Sequence, residues 1–91
     1  MVTGIALVTV ERKMLRQVTE ALLKIQGVTE VYTVAGEYDL VVMIRVATNA
    51  ELADVIATRM THDIYGINHT KTLITLNVDS KIDLEKVFNI A

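Results

Sequence analysis

The apolar positions of the first part of the chain follow two spacings, one typical of a strand and the next typical of a helix. Residues 2–10 are rich in β-branched side chains and predict a first strand. Apolar residues then recur at steps of three and four positions, which places them on one helix face: Met14, Leu15, Val18, Leu22 and Ile25. Gly27 follows them, where helices commonly end in a left-handed residue.

The middle of the chain predicts a hairpin followed by a second helix. Residues 28–35 and 38–47 are the two strands, and the short turn between them, Gly36-Glu37, makes them antiparallel. Thr48 and Glu51 have the spacing of a capping box, in which a hydroxyl and a carboxylate each satisfy an orphan backbone amide. The buried stripe of this helix is predicted to be Leu52, Val55, Ile56 and Met60.

The last part predicts a fourth strand over residues 67–78 and a short helix capped by Ser80, whose apolar face is Leu84, Val87 and Phe88. The order βαββαβ with a helical tail predicts an α+β fold of the ferredoxin-like type, with four antiparallel strands and both helices on one face. No linker-like composition interrupts the chain, so residues 1–91 are predicted to form a single domain.

Both faces of the predicted sheet are apolar near its middle. In the third strand the residues of one face are Leu40, Val42, Ile44 and Val46, and those of the other are Val41 and Met43. Two helices cover only one face, and a large exposed apolar patch drives association. We therefore expect a homodimer of the dimeric α/β-barrel type, paired through the open sheet faces. The alternative is a monomer with an unusually apolar sheet.

Composition narrows the function classes. The 91 residues are 52% hydrophobic and 22% charged, with a net charge of −2 and no cysteine, which excludes disulfides and thiolate metal sites. The basic residues are scattered singly, so no direct nucleic-acid contact is predicted. The longest apolar run, residues 40–44, is too short to span a membrane, and no signal peptide is evident. We expect a cytoplasmic protein without membrane contact.

No arrangement typical of catalysis is found in the sequence. It has no cysteine nucleophile, no Ser-His-acid order and no phosphate-binding glycine loop, so the prediction is a non-enzyme without a cofactor. His62 and His69 are the only imidazoles, and a zinc site needs three or four ligands in fixed geometry. They are interpreted as exposed or capping residues, and no metal site is predicted.

Two short segments are candidates for ligand binding. Gly36 permits a positive φ and the close approach of another group, and Asp39 opens an apolar strand, where a charge is costly unless it is hydrogen-bonded. Ordinary hairpin chemistry explains both residues equally well. Thr70 and Thr72 point to one face of the fourth strand and offer two hydroxyls to a carboxylate or ammonium group. Threonine pairs on an exposed face are also ordinary strand residues.

The two segments together carry a family resemblance. Ala-Gly-Glu-Tyr-Asp-Leu at residues 35–40 and Ile-Asn-His-Thr-Lys-Thr-Leu-Ile at residues 67–74, within a βαββαβ chain, resemble the effector domain of Lrp/AsnC regulators, also called the RAM domain. The resemblance covers the chain from Val2 to about Val78. It implies an amino acid effector and a role in transcription regulation.

The resemblance also implies site residues. The ligand pocket would use the Gly36 backbone, with Asp39 near the ligand's ammonium group and the hydroxyls of Thr70 and Thr72 near its polar ends. Tyr38 would shape the pocket or support the turn.

Assembly and partners are likewise implied by the resemblance. Members of the family dimerise through their sheets and assemble into octameric or decameric rings, with an amino acid held between dimers. Full-length regulators carry an N-terminal helix-turn-helix, whereas this sequence begins directly at the first strand. The resemblance therefore implies a stand-alone effector module that lacks its own DNA-binding part and modulates full-length Lrp/AsnC regulators.

Two other interpretations of the same architecture remain. A small dimeric α/β-barrel enzyme, such as a cofactor-free monooxygenase, would need polar catalytic groups between helices and sheet, where this sequence offers Leu, Val, Ile and Met. An ACT-type ligand domain commonly has glycine in the loop after its first strand. Here that loop is Glu11-Arg12-Lys13, which argues against it.

Overall fold

The structure, a computed structural model, describes residues 1–90 of the chain. Within that range it contains four strands: Val2–Val10 (β1), Val28–Thr33 (β2), Leu40–Val46 (β3) and Ile67–Ile74 (β4). The helices of the same range are Leu15–Leu23 (α1), Asn49–Asp54 (α2) and Leu84–Val87 (α3). A 3₁₀ turn, Arg12–Met14, leads into α1, and a π-helical segment, Val55–Met60, continues α2. Ala91, which the predicted domain 1–91 includes, lies outside the described residues.

The strands form one antiparallel sheet in the order β2-β3-β1-β4. This strand order with a βαββαβ chain confirms the predicted α+β, ferredoxin-like fold. The register places Val8 of β1 between Leu40 of β3 and Thr70 of β4. Strand β1 therefore lies between β3 and the edge strand β4.

The core lies between one face of the sheet and the helices. Its sheet side includes Ala6, Val8, Leu40, Val42 and Ile44, and its helix side includes Val18, Leu22, Leu52, Val55 and Met60, all buried. These are the positions that the spacing of three and four residues predicts for the buried helix faces. α1 and α2 thus occupy the same face of the sheet, and neither of them covers the opposite face.

Gly27 lies in the turn that joins α1 to β2. Its φ is +102°, and a Cβ added there would lie 2.8 Å from Val46 Cγ1. Gly27 is therefore left-handed, as predicted. It lies in the turn after α1 and not at the helix end, because α1 already ends at Leu23. The turn between them closes through backbone bonds such as Val28 N–H to the Ile25 carbonyl, at 3.1 Å.

The predicted hairpin is present, but its turn is longer than the two residues expected. Strand β2 ends at Thr33 and β3 starts at Leu40. The connecting residues 34–39 form a loop closed by a 2.9 Å bond from Val34 N–H to the Asp39 carbonyl. The predicted two-residue turn was wrong, because the backbone of Asp39 divides its bonds: its carbonyl accepts from Val34, and its N–H donates to the Val8 carbonyl of β1.

The structure contains the predicted cap at Thr48 but not the one at Ser80. The Thr48 hydroxyl accepts from Glu51 N–H at 3.2 Å, as a capping box requires, but the Glu51 carboxylate reaches Ala47 N–H rather than the amide of Thr48. The Ser80 cap was wrong. Asp83 caps α3 by accepting from Lys86 N–H at 3.2 Å, because it directly precedes the first turn, whereas Ser80 accepts from the nearby Ile82 N–H.

The fourth strand is shorter than predicted and ends at Ile74. Thr75 still bonds to β1, because its N–H and its hydroxyl both donate to the Thr3 carbonyl, at 3.1 Å and 2.8 Å. Beyond it Leu76 is 99% exposed. The predicted strand residues 75–78 are therefore the start of a tail that leaves the sheet.

Candidate functional site

The loop of residues 34–39 presents Gly36 to the outside. Gly36 has a φ of +143°, a conformation that side chains rarely adopt, and a Cβ added there would meet no atom within 4 Å. The backbone at the loop tip is therefore accessible to an approaching group, which is one of the two uses of glycine that the sequence suggested.

Asp39 is joined to β1 by two hydrogen bonds. Its backbone N–H donates to the Val8 carbonyl at 2.9 Å, and its Oδ2 accepts from Val10 N–H, also at 2.9 Å. The cost of a half-buried carboxylate is thereby offset by a backbone donor. Asp39, the last residue of the loop, therefore holds the loop against β1. The preceding residue, Tyr38, is half-buried.

Thr70 and Thr72 lie on the edge strand β4, opposite Val8 and Ala6. Residues directly opposite in an antiparallel pair project to the same side, so both threonines point to the helix side of the sheet. Both are half-buried. The two threonines share one face, as predicted, and it is the face that the helices cover. They are therefore not an ordinary threonine pair on an exposed face.

The hairpin residues and the threonines occupy two separate places on one chain. Asp39 contacts one side of β1 and Thr70 pairs with the other, so about two strand spacings, roughly 10 Å, lie between them. Two clefts on residues 1–90 are lined by other residues altogether. One chain therefore brings Thr70 and Thr72 together, and Gly36, Tyr38 and Asp39 together, without joining the two groups in one pocket.

The open face of the sheet is apolar at its centre. Ile5 pairs with Met43, and Leu7 pairs with Val41, and all four side chains are half-buried. Tyr32 on β2 and Leu73 on β4 extend the patch, being 53% and 47% exposed. We call the surface formed by these six residues the open face. Apolar side chains on the second face, expected from the third strand, thus occur on all four strands.

At one end of the open face Arg45 is held by neighbouring side chains. Its Nη1 donates to Glu30 Oε1 and, at 2.7 Å, to Thr29 Oγ1, and its Cζ lies 4.3 Å from the centroid of the Phe88 ring. No partner for Arg45 was predicted from the sequence. Strand alternation could have found Glu30, because it lies on the same face of the neighbouring strand, whereas nothing in the sequence indicated Phe88.

His62 and His69 are both exposed, and His62 lines a cleft of ≈ 440 Å³ together with Asp63 and Glu11. Among residues 1–90, no three His, Cys, Asp or Glu side chains are grouped in a way that could hold a metal ion. No helix in the same residues is both long and apolar enough to cross a membrane.

Comparison with known proteins identifies the class of domain that this fold and loop define. The family model described as the Lrp/AsnC ligand binding domain matches residues 3–81. The chain belongs to this family and is a regulatory effector-binding domain, as the hairpin and fourth-strand segments together suggested.

Individual relatives agree with this assignment. The chain is 40% identical over 62 residues to an uncharacterised HTH-type transcriptional regulator of Pyrococcus abyssi, a match that covers 68% of this chain and 41% of that protein. The chain thus spans less than half the length of this curated relative.

Two solved structures have the same fold. TTHA0845 from Thermus thermophilus superposes with a TM-score of 0.82 at 30% identity, over 89% of this chain and 100% of that one. A feast or famine regulatory protein of M. tuberculosis, solved with L-methionine, has a TM-score of 0.70 at 25% identity, over 91% of this chain and 56% of that one.

Proposed function

We propose that this domain binds a free amino acid between copies of itself and reports the occupancy of that site through its state of assembly. The observation that carries the proposal is the exposed, left-handed Gly36 in a loop anchored by Asp39, within a domain of the Lrp/AsnC ligand-binding family. The L-methionine complex of the M. tuberculosis relative supports an amino acid as the class of ligand.

The separation of the two residue groups supports a site shared between subunits. An amino acid is too small to reach from Asp39 to Thr72 across β1 within one chain. The hairpin loop lies at one end of the sheet, and β4 is an edge strand, so a second copy can bring its β4 against the loop of the first. Each site would then take its loop from one subunit and its threonines from the other.

The proposed roles follow from the chemistry of each group. A carboxylate accepts several hydrogen bonds, so Asp39 can hold Val10 N–H and a ligand ammonium group together. The hydroxyls of Thr70 and Thr72 would meet the polar ends of the ligand, and the Gly36 backbone would let the ligand approach closely. Tyr38, half-buried beside Asp39, would form a wall of the pocket.

The open face is the proposed surface of the homodimer. Its central side chains are apolar on a face that neither α1 nor α2 covers, and pairing of two such faces would remove them from water. Dimers would assemble further into an octamer or decamer, with the amino acid between dimers.

The proposed partners are full-length Lrp/AsnC regulators. The P. abyssi relative is named as a helix-turn-helix regulator, and this chain matches 41% of it. The residues described here would supply effector binding and assembly, and DNA contact would belong to other parts of such assemblies. Ligand binding would change regulation by favouring one oligomer over another.

Catalysis is not part of the proposal. The monooxygenase interpretation needs a polar cavity between helices and sheet. That space is filled by apolar side chains that are at most 2% exposed: Leu22, Leu40, Leu52 and Met60.

A thermal-shift screen of the twenty amino acids tests the proposal. A ligand at a hundred times its Kd adds about 2.7 kcal/mol to stability, which raises the Tm of a domain of this size by several degrees. Thr72→Val keeps the side-chain shape and removes the hydroxyl, so it should reduce the shift. Thr33→Val, at an exposed position on β2, is the matched control and should respond as the native protein does. No shift with any amino acid, or equal shifts in both variants, would contradict the proposal.

A further inference from the structure

The C-terminal tail, residues 75–90, crosses one end of the open face. It starts at the edge strand β4, where the N–H and the hydroxyl of Thr75 bond to β1. Near its end, the ring of Phe88 lies over the guanidinium of Arg45, with 4.3 Å between Cζ and the ring centroid. Arg45 belongs to β3, on the other side of β1. The tail therefore passes from the β4 edge across β1 to β3.

The burial of Thr3 indicates that this end of the face is covered. Thr3 pairs with Arg45 and projects to the same side of β1 as Ile5 and Leu7. It is 5% exposed, whereas Ile5 and Leu7, further along the strand, are half-buried. Since α1 and α2 lie on the other face, we attribute the cover to the Arg45 side chain and the tail above it.

The tail turns a polar side away from the sheet. In α3 the half-buried Leu84 and Phe88 lie four residues apart and share one helix face, and Phe88 N–H donates to the Leu84 carbonyl at 2.9 Å. Lys86, halfway between them, lies on the opposite face and is exposed, as is its neighbour Glu85. Val87, at the flank of the helix, is 59% exposed. The outer surface of the tail is therefore mainly polar.

The opposite end of the open face is also polar. Thr9 of β1 pairs with His69 of β4, and both project to the same side as Ile5 and Leu7 because side chains alternate along a strand. The hairpin loop joins β1 at this end, through Asp39. The open face thus has an apolar centre between a tail end and a loop end.

The thickness of the tail limits how two such faces can meet. Paired sheets lie about 10 Å apart, and a helix with its side chains is about 10–12 Å across. Two tails at the same end would place two helical layers, roughly 20 Å, between the sheets and hold the apolar centres apart. With the tails at opposite ends, each tail projects past the loop end of the other sheet. The uncovered part of β1, from Ile5 to Thr9, can then meet its counterpart.

We propose that two copies of this chain pair through the open face with their tails at opposite ends, so that each tail closes the interface beside the loop end of its partner. The apolar centres then meet around Leu7, and the polar side of the tail lies near Thr9 and His69. An apolar core with a polar rim is the usual composition of a protein interface. The inference rests on the open-face pairing of the proposed function and adds its orientation.

Cross-linking between single-cysteine variants tests this orientation, because the native chain has no cysteine. Lys86→Cys marks the tail, and Thr9→Cys, which is close in size to the native residue, marks the loop end. The two full-length variants, one with a size tag, are refolded together from urea and treated with a short bismaleimide. We expect a strong product that joins Lys86→Cys to Thr9→Cys. The product that joins two Lys86→Cys chains should be lost.

Glu20→Cys is the matched control for random collision. It lies at an exposed position on α1, on the face away from the proposed interface. Mixed with Lys86→Cys, it should give only the background level of cross-linking. This background defines the level to which the product of two Lys86→Cys chains should fall.

Two results would overturn the orientation: a product of two Lys86→Cys chains above the background, or a mixed Lys86→Cys and Thr9→Cys product no stronger than the control. If Leu7→Glu still lowers the mass of the native assembly in that case, open-face pairing survives and only the orientation is rejected. A native protein that sediments as a single chain would reject the pairing in the proposed function, and the orientation with it.

Discussion

The Asp39 carboxylate accepts a 2.9 Å hydrogen bond from the backbone N–H of Val10, a residue 29 positions earlier in the chain. This bond, with the one from Asp39 N–H to the Val8 carbonyl, fixes the end of the hairpin loop to the central strand. The same strand pairs with Thr70 on its other side. The position of the loop relative to the β4 edge is therefore set by β1.

Removing this carboxylate should destabilise the domain. Asp39→Ala leaves Val10 N–H, a part-buried donor, without its charged acceptor, and we expect the free energy of unfolding to fall by about 1–3 kcal/mol. Urea denaturation measures the change. Asp63→Ala, at an exposed position, is the control and should change it by less than about 0.5 kcal/mol. Equal effects of the two substitutions would show that the bond contributes nothing.

Two left-handed glycines should respond differently to alanine. Gly36→Ala meets open space and carries only the backbone cost of a positive φ, about 1–2 kcal/mol. Gly27→Ala carries that cost and also places a Cβ 2.8 Å from Val46 Cγ1, so it should cost at least about 1 kcal/mol more. Thermal or urea unfolding of both variants checks the ranking. A Gly36→Ala variant less stable than Gly27→Ala would contradict the packing of the turn before β2.

The Thr48 cap should contribute measurably to stability. Thr48→Ala removes the acceptor for Glu51 N–H and should lower the free energy of unfolding by about 1 kcal/mol. Thr58→Ala, exposed in the π-helical segment, removes a hydroxyl from the same wall of the domain without removing a cap. A loss in Thr58→Ala as large as that in Thr48→Ala would argue against the cap.

A charge on the open face should prevent self-association. Leu7→Glu places a carboxylate at the centre of that face, where pairing of two copies would bury it without a partner. Leu23→Glu introduces the same charge at a 51% exposed position on α1. Light scattering should give a single-chain mass for Leu7→Glu and the native mass for Leu23→Glu. An unchanged mass in Leu7→Glu would rule out pairing through the open face.

The fold was largely predictable because periodicity records which side of each element is buried. The bounds of β1 and the buried faces of both helices followed from it directly. Element ends were less predictable, since they depend on individual bonds. Asp83 rather than Ser80 caps α3, and Thr75 bonds to β1 while the chain leaves the sheet.

The candidate site was predictable in residue type but not in arrangement. The sequence singled out Asp39 and the two threonines. The strand order that separates them became visible only in the sheet. The cluster around Arg45 depends on a tail that folds back so that Phe88 stacks on the guanidinium. No spacing in the sequence relates Phe88 to Arg45.

Sedimentation velocity of the native protein at micromolar concentration, with and without the amino acid that gives the largest thermal shift, tests the central claim most directly. We expect a species heavier than one chain without ligand, and a redistribution among larger species when the amino acid is added. A species of single-chain mass under both conditions would contradict a ligand site built between subunits.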